Sequence, residues 1–328
     1  MRKKWILIAI VLLLLIAVLQ LDKEALLDSI NQIPRWLMLM LFGLQIITQL
    51  LVNLQWYKIA KISNTPLSFW QMFYVNAQGA VVDSITPGVK IGGEVTRAVQ
   101  ISRIANCSGK SSATMLAVQK IFSISALLFI LLFSIGYLLG DMSRFYSRYT
   151  QFLIYSILML TFVLFIGILF FPNKIEAHLL KTKKSHYLWI NKMKHFLLAV
   201  LESVAKVRKS PKELIILTLL SLFIWLLYPI KMYILVLQFY AEANIIHVSA
   251  ITFAAYLVAM LPIFPGGLGG FEGTMSGLLI SMGLGAHAAA VITIFFRFVT
   301  FWFVMLFSFV FIAIRKIYKD SILRYNCE

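Results

Sequence analysis

The sequence predicts an all-α integral membrane protein with about six transmembrane helices and two re-entrant helical hairpins in an inverted repeat. Three observations predict this fold class. The chain of 328 residues is 61% hydrophobic and only 13% charged, it contains long apolar segments, and two shorter apolar segments are broken by similar Pro/Gly motifs. Soluble domains carry about 25% charged residues, so most of this chain must face lipid or the inside of a helix bundle. We expect residues 1–328 to form a single polytopic membrane domain.

Six apolar segments are long enough to cross a bilayer, since a spanning helix needs about 20 apolar residues. They are residues 5–21, 36–56, 118–140, 151–171, 214–238 and 288–314. The first segment follows Arg2-Lys3-Lys4 as a signal peptide would, but no small-residue cleavage site comes after it. We therefore expect it to be retained as a span.

Lysine and arginine predict the orientation, because cytoplasmic loops of membrane proteins carry an excess of both. Segment 173–212 holds ten Lys or Arg against two Glu, which predicts a cytoplasmic basic loop with an amphipathic stretch at 196–207 on the inner leaflet. Both terminal segments are also basic, so we expect both termini in the cytoplasm at a bacterial inner membrane. The formal net charge of +17 is then explained by these segments and anionic lipid rather than by nucleic acid.

Two further segments, 68–106 and 249–283, each consist of a short apolar helix, a Pro/Gly break and a second short helix. The breaks read Pro87-Gly88-Val89-Lys90-Ile91-Gly92-Gly93-Glu94 and Pro265-Gly266-Gly267-Leu268-Gly269-Gly270-Phe271-Glu272. One constant offset in residue number aligns Pro87 with Pro265, Gly88 with Gly266, Gly92 with Gly270 and Glu94 with Glu272. Three predicted spans separate the copies, so the second copy is inverted, as in many secondary transporters.

Short length favours re-entrant hairpins at these two segments. If every short helix crossed the membrane fully, the same loops would still lie in the cytoplasm. The alternative of full crossing therefore stays open. Proline ends a helix and glycine lets the chain reverse. The predicted structural breaks are Pro87, Gly88, Gly92, Gly93, Pro265, Gly266, Gly269 and Gly270.

Charged side chains at membrane depth are costly and usually functional. The predicted substrate-binding residues are Asp83, Glu94, Arg97, Glu272 and Arg297. The guanidinium fork suits a lipid phosphate, and a carboxylate suits a cationic headgroup. A plainer alternative is that Glu94 and Arg97, three residues apart, pair with each other, and that both glutamates only complement helix dipoles.

Three other polar features have plainer expected roles. Lys120 and Lys231 are expected to snorkel toward an interface. Gln45, Gln49 and Asn53 form a polar stripe that is explained by hydrogen bonds between helices. No nucleophile, nucleotide-binding or metal-ligand motif occurs in the sequence, so we predict no catalytic residue, no metal and no cofactor.

The strings Thr86-Pro87-Gly88, Gly92-Gly93-Glu94-Val95-Thr96-Arg97-Ala98 and Pro265 to Gly273 resemble the transmembrane region of the lysyl-phosphatidylglycerol synthase/flippase family. The resemblance covers nearly the whole chain. It implies a membrane domain that moves lysyl-phosphatidylglycerol to the outer leaflet and so blunts cationic antimicrobial peptides. The family's C-terminal aminoacyltransferase part has no counterpart before Glu328, so we expect lipid translocation without lysyl transfer by this chain.

Two alternatives to a flippase or scramblase remain. One is a membrane subunit that presents lipid to a separate soluble aminoacyl- or glycosyltransferase docked on segment 173–212. The other is a small-solute transporter. Expected partners are anionic and aminoacylated phospholipids, with a soluble transferase and a homo-oligomer left open, as are the lipid, the energy source and the direction.

Overall fold

The computed structural model describes residues 31–86, 91–141, 147–181, 188–261 and 267–325, and the regular secondary structure in these ranges is helical. The helices are α1 (Arg35–Ile62), α2 (Phe69–Ile85), α3 (Ile91–Ala105), α4 (Gly109–Asp141), α5 (Arg148–Phe170), α6 (Pro172–Lys181), α7 (Leu188–Lys209), α8 (Pro211–Val236), α9 (Ile245–Ala259), α10 (Gly270–Ser281), α11 (Ala286–Arg297) and α12 (Phe303–Tyr325). A π-helical turn, Phe298–Trp302, joins α11 to α12.

Five helical stretches are long and apolar enough to cross a membrane. They are Arg35–Ile62, Gly109–Gly136, Arg148–Phe170, Pro211–Val236 and Ala286–Ile317. Each overlaps one of the predicted spans, which confirms an all-α, multi-pass membrane protein. The sixth predicted span, residues 5–21, lies outside the described residues.

The two broken segments form helix pairs, α2 with α3 and α9 with α10. Ser68 begins α2 with a capping box: its hydroxyl accepts from the Gln71 backbone N–H, and the Gln71 side chain accepts from the Ser68 backbone N–H. In the second pair, the Tyr256 and Phe271 ring centroids lie 5.1 Å apart. At 1.5 Å per residue, α2 is about 25 Å long and α10 about 18 Å, less than the roughly 30 Å hydrocarbon core. Re-entry stays a prediction, and these lengths favour it.

The inverted repeat extends beyond the breaks to two four-element units. Unit one is α1 to α4; unit two is α8, α9, α10 and the continuous α11–α12 helix. The unit-one helices begin at positions 35, 69, 91 and 109 and the unit-two helices at positions 211, 245, 270 and 286, so a nearly constant offset relates the two sets. Two contacts show that α1 and α8 run antiparallel: Lys58 pairs with Glu213 at 3.3 Å, and Gln55, earlier in α1, bonds to Ser221, later in α8. Equivalent first helices therefore point in opposite directions.

The units are held together crosswise. Helix α2 packs on α12, where Phe73 contacts Phe311 with ring centroids 4.6 Å apart. Helix α9 packs on α4, where Phe253 joins an apolar cluster with Leu127 and Leu131. The first helix of each pair thus packs against the long last helix of the other unit. Helices α1 and α8 pack against each other.

The predicted basic loop at 173–212 contains two helices, α6 and α7. The amphipathic stretch 196–207, expected on the inner leaflet, packs one face on the helix bundle. Val200, Leu201, Val204 and Val207 form a buried stripe packed on the bundle. Helix α7 packs on the apolar surface of α4, α5 and α8. An apolar stripe with the helical period of 3.6 residues can pack on such a surface as readily as on a membrane.

Candidate functional site

The first charge cluster lies between α2, α3 and α4. Arg97 donates from Nη1 to Asp83 Oδ2 at 3.0 Å and to Glu94 Oε1 at 3.1 Å. Lys120 Nζ lies 2.8 Å from the same Glu94 oxygen. The structure therefore brings together Asp83, Glu94 and Arg97 of the predicted site. The plainer prediction of a Glu94–Arg97 pair is confirmed, and Asp83 and Lys120 complete the cluster with two charges of each sign.

Glycines explain how two helices approach closely enough to build this cluster. A Cβ at Gly93 would overlap the Asp83 carboxylate, and one at Gly79 would overlap the Arg97 guanidinium. With no side chain present, the Gly93 backbone N–H donates to Asp83 Oδ1 at 3.0 Å. Asp83 of α2 therefore satisfies a free backbone N–H in the first turn of α3, where the helix dipole also favours a carboxylate.

The second charge cluster lies between α10 and α11. Glu272 Oε1 is 3.2 Å from Arg297 Nε, and Glu272 Oε2 accepts from the Gly269 backbone N–H at 2.6 Å. Arg297 is only 5% exposed, and its guanidinium lies 4.7 Å from the Phe271 ring centroid and 4.2 Å from that of Phe301. The carboxylate thus both caps α10 and neutralises a buried cation held between two aromatic faces.

The two clusters occupy equivalent places in the two units. Lys120 is eleven residues after Gly109, the start of α4, and Arg297 is eleven residues after Ala286, the start of α11. Both cations are therefore about 16 Å along their helices, inside the stretches that are long and apolar enough to cross a membrane. Each pairs with a glutamate in the first turn of the preceding short helix.

Lys120 was missing from the predicted site, although its side chain pairs with Glu94. A signal for it existed in the sequence. The offset that aligns Pro87 with Pro265 places Lys120 at position 298, beside Arg297. Lys120 lies close to the start of the predicted span 118–140, and its pairing depends on α3 packing against α4 at this position.

The predicted break residues divide into three groups. Pro87, Gly88, Pro265 and Gly266 lie outside the described residues. Gly92, Gly93 and Gly270 belong to the first turns of α3 and α10 rather than to the breaks themselves. Gly269 immediately precedes α10 with φ 85°, a left-handed conformation that favours glycine.

Helix α1 carries the interhelical hydrogen bonds predicted for it. Asn53 donates to the Phe69 carbonyl at 3.1 Å and accepts from Asn76 at 3.0 Å. Gln45 accepts from Lys231 on α8. Lys231 is fully buried, so the expectation that it snorkels is wrong. Within the described ranges, no three His, Cys, Asp or Glu side chains form a group that could hold a metal ion.

Comparisons with known proteins agree with this architecture. The family model described as "Lysylphosphatidylglycerol synthase TM region" matches residues 5–308. The chain is 26% identical over 290 residues to the UPF0104 membrane protein MJ1595 of Methanocaldococcus jannaschii, covering 83% of this chain and 82% of that protein. It is 23% identical over 289 residues to a UPF0104 membrane protein of Methanothermobacter thermautotrophicus, covering 84% of this chain and 85% of the relative. A third relative, PH1989 of Pyrococcus horikoshii, is 24% identical over 276 residues, covering 78% of this chain and 80% of that protein.

The family model spans most of the chain, including both units and both charge clusters. The protein therefore belongs to the family of the lysylphosphatidylglycerol synthase transmembrane region.

Proposed function

We propose that this protein translocates a phospholipid across the inner membrane as a flippase or scramblase, with lysyl-phosphatidylglycerol or a related aminoacylated lipid as substrate. One observation carries the proposal: each of the two units has a glutamate–cation pair at the same position along equivalent helices. Inverted-repeat transporters bind substrate near the midplane where broken helices meet, and ionisable groups at that depth mark substrate pathways.

The charge clusters suit a headgroup that carries both an amine and a phosphate. Glu94, Asp83 and Glu272 would accept hydrogen bonds from the amine, and Arg97 and Arg297 would donate to the phosphate. Each cluster contains as many carboxylates as cations. A headgroup with both an amine and a phosphate would therefore replace existing ion pairs with new ones and leave no charge unpaired. The Glu94 Oε2 atom is buried and accepts no hydrogen bond from the described residues, so it is available to an amine.

The test measures headgroup accessibility in vesicles. Purified protein is reconstituted with lysyl-phosphatidylglycerol in both leaflets, and a membrane-impermeant amine reagent labels the outside. We expect labelling to exceed the outer-leaflet half with the wild type and to stop there with Glu94→Gln and Glu272→Gln. Glu202→Gln is the matched control, because Glu202 is exposed on α7 and pairs only with Lys206 among the described residues.

Two results would count against the proposal. If the wild type also stops at the outer half, it does not translocate this lipid. If both glutamate variants transfer normally, the assigned roles of Glu94 and Glu272 are wrong even where translocation occurs.

A second candidate is a subunit that presents lipid to a soluble transferase. The observation in its favour is a polar cavity of about 310 Å³ between the α1–α2 connection, α4 and α7, lined by Asn64, Lys110, Ser203 and Lys206 among others. Reversal of both lysines to glutamate should release such an enzyme from the purified protein. Retention of the enzyme by that variant would contradict this candidate.

A further inference from the structure

Lys231 is fully buried, and its hydrogen-bond and ring partners among the described residues are neutral. It lies on α8, and its Nζ donates to Gln45 Oε1 and, at 3.2 Å, to Thr48 Oγ1, both on α1. The Tyr228 ring centroid is 4.7 Å from Nζ. No carboxylate within the described ranges lies at ion-pair distance from this ammonium.

The charges of the two clusters are balanced among the described residues. The described acidic residues of the two clusters are Asp83, Glu94 and Glu272, and the basic ones are Arg97, Lys120 and Arg297. Three carboxylates therefore meet three cations, and Lys231 has no carboxylate beside it among the described residues. A buried ammonium without a counter-charge is strongly unfavourable, so an anion that binds here would stabilise the charged form of Lys231.

A second, independent observation indicates the same kind of ligand. The Nε2 atom of Gln45 is buried and has no hydrogen-bond acceptor among the described residues, although Gln45 itself has no exposed surface. Buried amide donors are almost always satisfied. A free amide donor beside the Lys231 Nζ donor offers hydrogen bonds to an oxyanion.

The position lies between the two units. Gln45 belongs to α1 and Lys231 to α8, the antiparallel first helices of unit one and unit two. Both side chains are fully buried, so a ligand would reach these donors if α1 and α8 separated. Rocking of one repeat against the other is the movement by which inverted-repeat transporters alternate access.

We propose that Lys231 and Gln45 bind the phosphate of the lipid substrate, so that lipids lacking a phosphate are not transported. This inference rests on the proposed lipid translocation. It moves the principal phosphate contact away from Arg97 and Arg297, which both already pair with carboxylates. It also predicts that phosphate-free glycolipids are not substrates.

The test uses binding, which does not require translocation. The full chain is purified in detergent, and its thermal unfolding is followed while phosphatidylglycerol, a glucosyl-diacylglycerol with the same acyl chains, or inorganic phosphate is added. We expect phosphatidylglycerol to raise the unfolding midpoint and the glycolipid not to. Lys231→Gln should weaken phosphatidylglycerol binding roughly ten- to a hundredfold, the range for loss of a charged hydrogen bond.

Two further variants sharpen the test. Gln45→Glu supplies the missing counter-charge within a side chain of nearly the same size, so it should be more stable without lipid and should lose the response to phosphatidylglycerol. Lys58→Gln is the control: it removes a partly exposed lysine from the same α1–α8 interface and should respond as the wild type does. If Lys231→Gln fails to fold, Gln45→Glu still decides the question.

The outcomes separate this inference from the proposed function. Equal responses of the wild type, Lys231→Gln and Gln45→Glu, or equal stabilisation by the glycolipid, would overturn the phosphate site. Equal stabilisation by inorganic phosphate would support the site but assign it to a soluble ligand. A phosphate preference in a protein that transfers no lipid would reject translocation and keep the site.

Discussion

Glu94 and Glu272 occupy equivalent places in the repeat, yet we expect their loss to have very different effects on the free energy of unfolding. Glu272→Gln leaves Arg297 charged and only 5% exposed between two aromatic rings. Removing one partner of a buried ion pair costs about 3 to 5 kcal/mol. After Glu94→Gln, Arg97 keeps its 3.0 Å bond to Asp83, and the Lys120 side chain is 40% exposed.

The loss at Glu94 should therefore resemble that of an exposed pair, below about 1 kcal/mol. The assay is unfolding of the purified protein in one detergent, with the free energies of the two single variants compared. The double variant Glu272→Gln with Arg297→Met should be more stable than Glu272→Gln alone, because it removes the charge that the single change leaves bare. Equal losses from both glutamates, or a double variant as unstable as the sum of its single changes, would refute this reasoning.

Three further predictions concern the hairpin, the centre of the bundle and the orientation. Gly93→Ala should destabilise the protein by about 1 to 3 kcal/mol, because its Cβ would overlap a carboxylate on α2; Gly43→Ala, with nothing within 4 Å, should be neutral or better in thermal unfolding. Gln55→Leu should cost about 1 to 3 kcal/mol in the same assay, because it leaves its buried hydrogen-bond partners on α4 and α8 unsatisfied. In a chain without native cysteines, an impermeant maleimide should label Tyr149→Cys but not Lys110→Cys on intact cells; the reverse labelling would invert the expected orientation.

The breaks and their glutamates were predictable because proline, glycine and carboxylate are exceptional residues in apolar segments. Four such matches at a single offset indicated a repeat before any helix was known. At the level of whole helices, nearly the same offset relates every element of unit one to one of unit two. The repeat therefore relates whole helices of the two units and not only the four aligned positions at the breaks.

The contacts of Lys120 and Lys231 with other helices were missed for one physical reason. Snorkelling is an argument about a single helix, in which a long side chain reaches the nearer interface. Both lysines instead face another helix: Lys120 meets the glutamate of α3, and Lys231 meets two neutral acceptors of α1. Which face of a helix is covered depends on packing between segments far apart in the chain, and one sequence does not give that packing.

Equivalent position in the repeat does not mean equivalent chemistry. In unit two, one carboxylate caps its helix through Gly269 and neutralises Arg297, so both Glu272 oxygens are engaged. In unit one, Asp83 takes over the contact to the first turn of α3, and Glu94 is left to bridge two cations with one oxygen while the other accepts no hydrogen bond from the described residues. A headgroup amine would therefore displace fewer existing hydrogen bonds and ion pairs at Glu94 than at Glu272. On these grounds Glu94→Gln should impair transfer while sparing stability, whereas the defect of Glu272→Gln should include loss of folded protein.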